Sequence, residues 1–253
     1  MANRMIESNT ASLVLTFAMT IGWFVAGDAI ADENHASTVW GPRDDGAIAI
    51  EAEQFAHQSA DDIRQWHVLQ FGQGLPDLPG AGKAETYVTS DSSAAKQASQ
   101  SAFIRILPDT RRTHDDKLIR GENFSPDPGK MAIIDYQVDF PRPGRYFVWA
   151  RAFSTGSEDN GLHVGLNGAW PASGQRMQWC KGKNQWTWNC AQRTNEQHCG
   201  VPMQVFLDVA EPGIHTISIS MREDGFSLDQ LLLVDDETYR PESSMTTATI
   251  AAN

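Results

Sequence analysis

Phe140-Pro141-Arg142-Pro143-Gly144-Arg145-Tyr146-Phe147-Val148-Trp149-Ala150-Arg151 is the stretch that decides the fold class of this chain. Pro141, Pro143 and Gly144 punctuate a turn, because proline fixes φ and glycine reaches conformations closed to other residues. The side chains after it alternate. Tyr146, Val148 and Ala150 face one way, and Phe147, Trp149 and Arg151 face the other, which is the period of a strand. The same grammar recurs around it. Residues 131–140 place Ile134, Tyr136, Val138 and Phe140 on one face, and residues 162–166 are turned by Asn167-Gly168. Residues 205–209 end at Glu211-Pro212-Gly213, which feeds the alternating run 215–221, and a last strand is expected over 226–234. Short strands between Pro/Gly turns, with few helix signals, predict an all-β, jelly-roll-like β-sandwich.

The first half is less regular. Ile48 and Ile50 alternate with small residues in an opening strand, and Trp66, Val68, Leu69 and Phe71 suggest another. Turn chemistry follows at Gly72-Gln73-Gly74 and over 75–80. Residues 90–101, rich in Ser, Ala and Gln, read as a loop or a short helix, and residues 103–107 as a strand ended by Pro108. No topology follows for 56–130. At the N-terminus an apolar run over 11–26 precedes Ala29-Ile30-Ala31, the small-x-small pattern of a cleaved secretory signal over 1–31. That run is shorter than the roughly 20 residues a membrane-spanning helix needs. The expected plan is a signal (1–31), a flexible segment (32–46), a sandwich (47–236) and a disordered Ser/Thr/Ala-rich tail (237–253), in a secreted, periplasmic or envelope protein.

Net charge is −12, which argues against general affinity for nucleic acid or anionic membranes, since both attract a positive field. The charge is uneven, however. Over 175–193 the ionic residues are Arg176, Lys181, Lys183 and Arg193, with no acid. The same region carries Trp170, Trp179, Trp186 and Trp188 among Asn160, Gln175, Gln178, Asn184 and Gln185. A flat indole covers the apolar face of a pyranose ring while neighbouring amides bond its hydroxyls, so this composition predicts a sugar-binding surface. The plain alternative is a long loop stiffened by one or two core rings. A basic, Trp-bearing loop on an acidic body suits an anionic glycan, uronic or sulfated; a merely solvated loop explains the same charges. The 3 cysteines, Cys180, Cys190 and Cys199, leave three pairings open in an oxidising compartment. Cys180–Cys199 is the expected one, stapling the base of the Trp-rich excursion. A zinc site using His198 and Cys199 competes weakly, because no C-x-x-C pair is present.

Three stretches together carry a resemblance. They are Ile50-Glu51-Ala52-Glu53-Gln54-Phe55, the 140–151 stretch, and Gly213-Ile214-His215-Thr216-Ile217 leading to Gly225-Phe226-Ser227-Leu228-Asp229-Gln230-Leu231. In this order and spacing, over roughly 47–236, they resemble the galactose-binding-like β-sandwich of carbohydrate-binding modules of families six and thirty-five. The chain is also similar to glycan-binding domains appended to bacterial polysaccharide-degrading enzymes. The resemblance implies a structural calcium at Glu51, Glu53 and Asp229, donors whose hard oxygens suit that ion. It implies a loop-lined sugar cleft with Trp186 or Trp188 as the stacking ring, Glu158 and Asn160 along its wall, and Ser227 where the family has an asparagine. Trp179 and Lys183 join the set from the composition of their own segment. The implied function is non-catalytic polysaccharide binding.

A catalytic sandwich, lyase or glycoside hydrolase, is the rival class. It would need a carboxyl pair such as Glu158 and Asp224, or a base such as Tyr136 or His163 beside Arg176. No Gly-x-Ser-x-Gly, His-Glu-x-x-His or phosphate loop occurs. An envelope adhesion or structural protein is a third reading.

Overall fold

The computed structural model describes residues 38–60, 63–74, 92–242 and 244–251. The expected secretory signal and the turns expected over 75–80 lie outside the described residues. The body is a β-sandwich of an 8-stranded and a 7-stranded sheet. In the first sheet Gly213–Met221 lies between Ile134–Phe140 and Gly161–Leu166, antiparallel to both. Short strands extend the sheet past Gly161–Leu166 through Met177–Gln178, Ala191–Gln192 and Val201–Pro202. In the second sheet Ser227–Val234 is central. It pairs with Gly144–Phe153 on one side and with Ile48–Glu51 and Ala102–Leu107 on the other. Gln65–Gln70 follows Ala102–Leu107, and Trp186–Asn189 forms the opposite edge.

Alternation sets which residues meet between the sheets. Ile134, Tyr136, Val138 and Phe140 are fully buried while the residues between them are half-exposed. Tyr136 keeps its hydroxyl satisfied inside the core by donating to the Ala52 carbonyl at 2.7 Å. Ser227–Val234 is buried along its whole length because both its faces are covered. Its register shifts at a bulge between Leu228 and Gln230, where Asp229 sits.

Two boundaries differ from the sequence expectation. Val39–Trp40 lies within the segment expected to be flexible, yet it pairs parallel to Ile134–Phe140, and Trp40 is buried. The segment 244–251 belongs to the sandwich rather than to a loose tail. The Gln230 side chain bonds both backbone groups of Thr246, and Ala251 donates to Val39 at 2.7 Å. A buried glutamine needs such partners, and residues that lack an apolar pattern supply them with backbone. Residues 90–101 contain the short helix Ser93–Gln97, capped by Ser92. Among the described residues no helix is long and apolar enough to cross a membrane.

Candidate functional site

The Trp-rich excursion leaves the first sheet at Met177–Gln178 and returns in the second as Trp186–Asn189. Its turn uses Gly182 at φ +70°, where a Cβ would lie 2.4 Å from Thr187 Cγ2, so only glycine fits. Cys180 and Cys199 form the expected disulfide, with 5.3 Å between Cα atoms. Cys190 is buried and free; its thiol donates to the Val205 carbonyl, and burial pushes its pKa up to about 12. Zinc chemistry is thereby removed from this region, because two of its three thiols are bridged and the third is sealed in the core.

The rings of the excursion have different fates. Trp186 is buried between Phe103 and Phe153, at centroid distances of 5.4 and 5.5 Å, and its indole N–H donates to the Ala94 carbonyl at 2.8 Å. The short helix lies over it. Trp179 is 2% exposed and packs on Phe226. Trp170 lies against Gly129 and Gly165, where added Cβ atoms would collide with its ring. Trp188 alone of the four is both half-exposed and part of a cleft wall. It shares a face of the same edge strand with Trp186, and its N–H donates to the Ser244 carbonyl at 2.9 Å. The cleft beside it holds about 450 Å³ and is lined by Gln178, Lys181, Trp188 and Asn189. The edge of Trp179 and the Cys180–Cys199 bridge complete the lining.

Other sequence candidates serve the scaffold. Lys183 is half-buried and donates to Ser154 Oγ at 2.7 Å and to the Trp179 carbonyl at 3.1 Å, and burial lowers its pKa. Asn160 is buried; its amide N–H donates to Glu223 and its side-chain carbonyl accepts from Gln178. Ser227 is buried in the central strand opposite Arg105 and Phe153. These three therefore do not reach the Trp188 cleft.

The carboxylates suggested for catalysis are each already engaged. Asp224 is fully buried on Arg64 and Thr110, and Glu158 pairs with Arg111 and His114. Tyr136 and His163, the bases a lyase would need, are fully buried in the sandwich. Ser157, His114 and Glu158 touch one another, with Ser157 Oγ 3.0 Å from His114 Nε2 and His114 Nδ1 2.7 Å from Glu158 Oε1. Ser157 Oγ is also 2.8 Å from the same Glu158 oxygen. The three groups close a triangle, whereas a nucleophile relay needs the acid on the far side of the imidazole.

Glu51, Glu53 and Asp229 meet where the bulge turns Asp229 toward the end of Ile48–Glu51. Glu51 accepts from Ser99 and Gln230, leaving its second oxygen buried without a partner; one Glu53 oxygen is orphaned in the same way. Asp229 is committed to the Ser99 amide and to Arg151. Burial, with the charges of Glu51 and Asp229, pushes Glu53 up to about 8, and burial pushes Asp229 up to about 6. Among the described residues no group of three or more His, Cys, Asp or Glu is arranged to hold a metal ion. The two orphaned glutamate oxygens are the donor chemistry of a hard cation; Asp229 joins them only by giving up Arg151.

No family model matches the chain. It is 50% identical over 197 residues to an uncharacterized protein of Formosa agariphila, a match covering 78% of this chain and 46% of that one. The chain thus spans about half the length of that relative. Similar solved structures include the C-terminal family-6 carbohydrate-binding module of a marine laminarinase from Zobellia galactanivorans. The identity is 12%, the TM-score 0.34, and the coverage 74% of this chain and 98% of that one. They also include an exo-β-1,3-galactanase of Phanerochaete chrysosporium, at 10% identity and TM-score 0.36, covering 78% of this chain and 29% of that one. A Podospora anserina β-(1,4)-mannanase with a family-35 module matches at 14% identity and TM-score 0.29, covering 78% of this chain and 29% of that one.

Proposed function

We propose that this chain is a non-catalytic glycan-binding sandwich whose contact surface is the Trp188 cleft. The observation that supports it is the pairing of a half-exposed indole with the half-exposed amide of Asn189 and the exposed ammonium of Lys181 around one opening. A sugar ring stacks its C–H face on Trp188, the Asn189 amide bonds a hydroxyl, and Lys181 favours an acidic substituent. The disulfide holds the rim, so little order has to be gained on binding. Secretion is consistent with that bridge. A calcium ion on the free oxygens of Glu51 and Glu53 braces the edge of the second sheet, relieving their mutual repulsion. Its role is structural, since it stands on a different part of the sandwich from the cleft's lining. Association with a polysaccharide-degrading enzyme completes the reading.

Affinity gel electrophoresis of the purified chain tests it, on gels containing laminarin, galactan, alginate, polygalacturonate or carrageenan. Retardation on at least one gel, reduced in Trp188→Ala and retained in Trp170→Ala, is expected. Mobility unchanged on every gel rejects the proposal. Release of reducing ends or unsaturated sugars by the chain alone replaces it with the enzymatic reading.

A further inference from the structure

A second opening, of about 280 Å³, lies outside the Trp188 cleft. The guanidiniums of Arg111, Arg193 and Arg222 line it against only two carboxylates, Glu158 and Glu223. Each carboxylate already has its own arginine, Glu158 with Arg111 and Glu223 with Arg222. Arg193 is left over. Its side chain, half-buried, makes no hydrogen bond or ion pair among the described residues; burial and the charges of Arg222 and Arg176 act against its charge, and Glu223 acts for it. Arg111 Nε is likewise buried without a partner. Unpartnered guanidinium N–H groups in a partly desolvated opening are costly unless an acceptor arrives.

The surroundings fix these groups in place. Arg222 stacks on the Phe124 ring at 5.2 Å, and Glu223 is held by the Asn160 amide at 2.9 Å. His198 precedes Cys199 of the disulfide, in a turn where Thr194 Oγ1 accepts from the amides of Glu196 and Gln197. Arg193 holds the His198 pKa below its ordinary value, with smaller contributions from burial and Arg222, which reports a positive local potential. That potential persists on a chain of net charge −12, so it comes from the local arrangement and not from the body as a whole. Half-buried Phe124 and exposed Leu118 add an apolar wall.

We infer that this opening binds the anionic substituent of an acidic sugar, a carboxylate or a sulfate ester, with Arg193 as the open donor, Arg111 and Arg222 adding positive charge, and Phe124 as the ring's apolar support. Planar guanidinium forks match both oxyanions with paired hydrogen bonds. His114 and His198 flank the anion. The anion site rests on its own geometry; its assignment to a sugar rests on the glycan-binding reading above.

The test is an NMR titration of the whole chain with glucuronate, glucose 6-sulfate and glucose, at matched ionic strength set by sodium chloride. The His198 and His114 ring signals and the Trp188 indole signal are followed together. Saturable shifts of the histidine signals are expected with glucuronate, glucose 6-sulfate or both, and none with glucose. A response to glucuronate alone assigns uronic acids, and one to the sulfate ester alone assigns sulfated sugars. Arg193→Gln, which removes a side chain without a partner, is expected to keep the melting temperature and to weaken binding roughly tenfold or more. His198→Gln serves as the second variant, with a smaller loss. Histidine signals unmoved by both anions, an equal response to glucose, or unchanged affinity in Arg193→Gln overturns the inference. A Trp188 response without a histidine response sinks this site alone; a histidine response with Trp188 silent throughout the gel-active polysaccharides sinks the Trp188 cleft alone.

Discussion

Trp186→Ala separates core rings from contact rings. Trp186 anchors a small cluster with Leu69, Ala94, Ala95, Ala98, Phe103 and Phe153. Truncating a buried tryptophan to alanine costs about 3–5 kcal/mol. Two edge-to-face partners, Phe103 and Phe153, place the loss in the upper part of that range. The Ala94 carbonyl also loses its donor. Trp186→Phe keeps the ring contacts but not that N–H, so it is expected to lose about 1–3 kcal/mol. Trp188→Ala removes a half-exposed ring at a sheet edge and is expected to cost about 1–2 kcal/mol. Urea unfolding followed by circular dichroism measures all three, with the midpoint shift read at constant m-value. A Trp186→Ala loss under about 1 kcal/mol, or a Trp188→Ala loss equal to it, contradicts the burial of Trp186 and the exposure of Trp188.

Reduction of Cys180–Cys199, or its replacement by serines, opens a loop of sequence separation 19. The loss expected is about 3 kcal/mol, seen as a lower melting temperature with reductant. Cys190, sealed in the core with its thiol near 12, is expected to resist iodoacetamide until denaturant is added; prompt labelling of the native chain contradicts its placement. His163 accepts from the Arg176 amide through Nδ1 and meets the Ser125 carbonyl through Nε2, so its neutral form fits, and burial lowers its pKa to about 4. A histidine depressed in the folded state adds nothing to acid sensitivity above its ordinary value, and its neutral form costs stability as pH falls from 6.5 toward 4. The stability gap between wild type and His163→Gln is therefore expected to narrow over that window in paired urea titrations. For calcium, melting with and without chelator is expected to differ by several degrees, and Glu53→Gln to abolish the difference; identical curves remove the ion from the account.

The strands around Phe140–Arg151 were legible because one covered face per strand leaves period-two alternation, as at Ile134, Tyr136, Val138 and Phe140. Val39–Trp40 and residues 244–251 were not legible, since they are held by backbone bonds to Ala251, Val39 and the Gln230 amide and carry no apolar pattern. The composition of the Trp-rich segment leaves open which of its rings are core and which are surface. Its polar neighbours mark a turn, but whether a ring on the returning strand is open depends on what crosses above it. Trp186 is covered by a helix roughly ninety residues earlier in the chain, whose position no local spacing reveals. Glu158, grouped with the Trp cleft in the sequence reading, lines the arginine-lined opening and not the Trp188 cleft. Arg193 and Arg222 became visible as a cluster only when the sandwich brought their loops together; the acid-free run over 175–193 was the sole sequence signal.

The central claim is that Trp188, and neither Trp179 nor Trp186, meets the glycan. Indole N–H resonances of the nitrogen-15-labelled chain, titrated with oligosaccharides cut from the polysaccharide that retards it on the gel, address this directly. The account predicts a saturable shift of the Trp188 signal while the Trp186 signal stays in place. A Trp186 shift as large as that of Trp188, or a Trp188 signal that never moves, contradicts it.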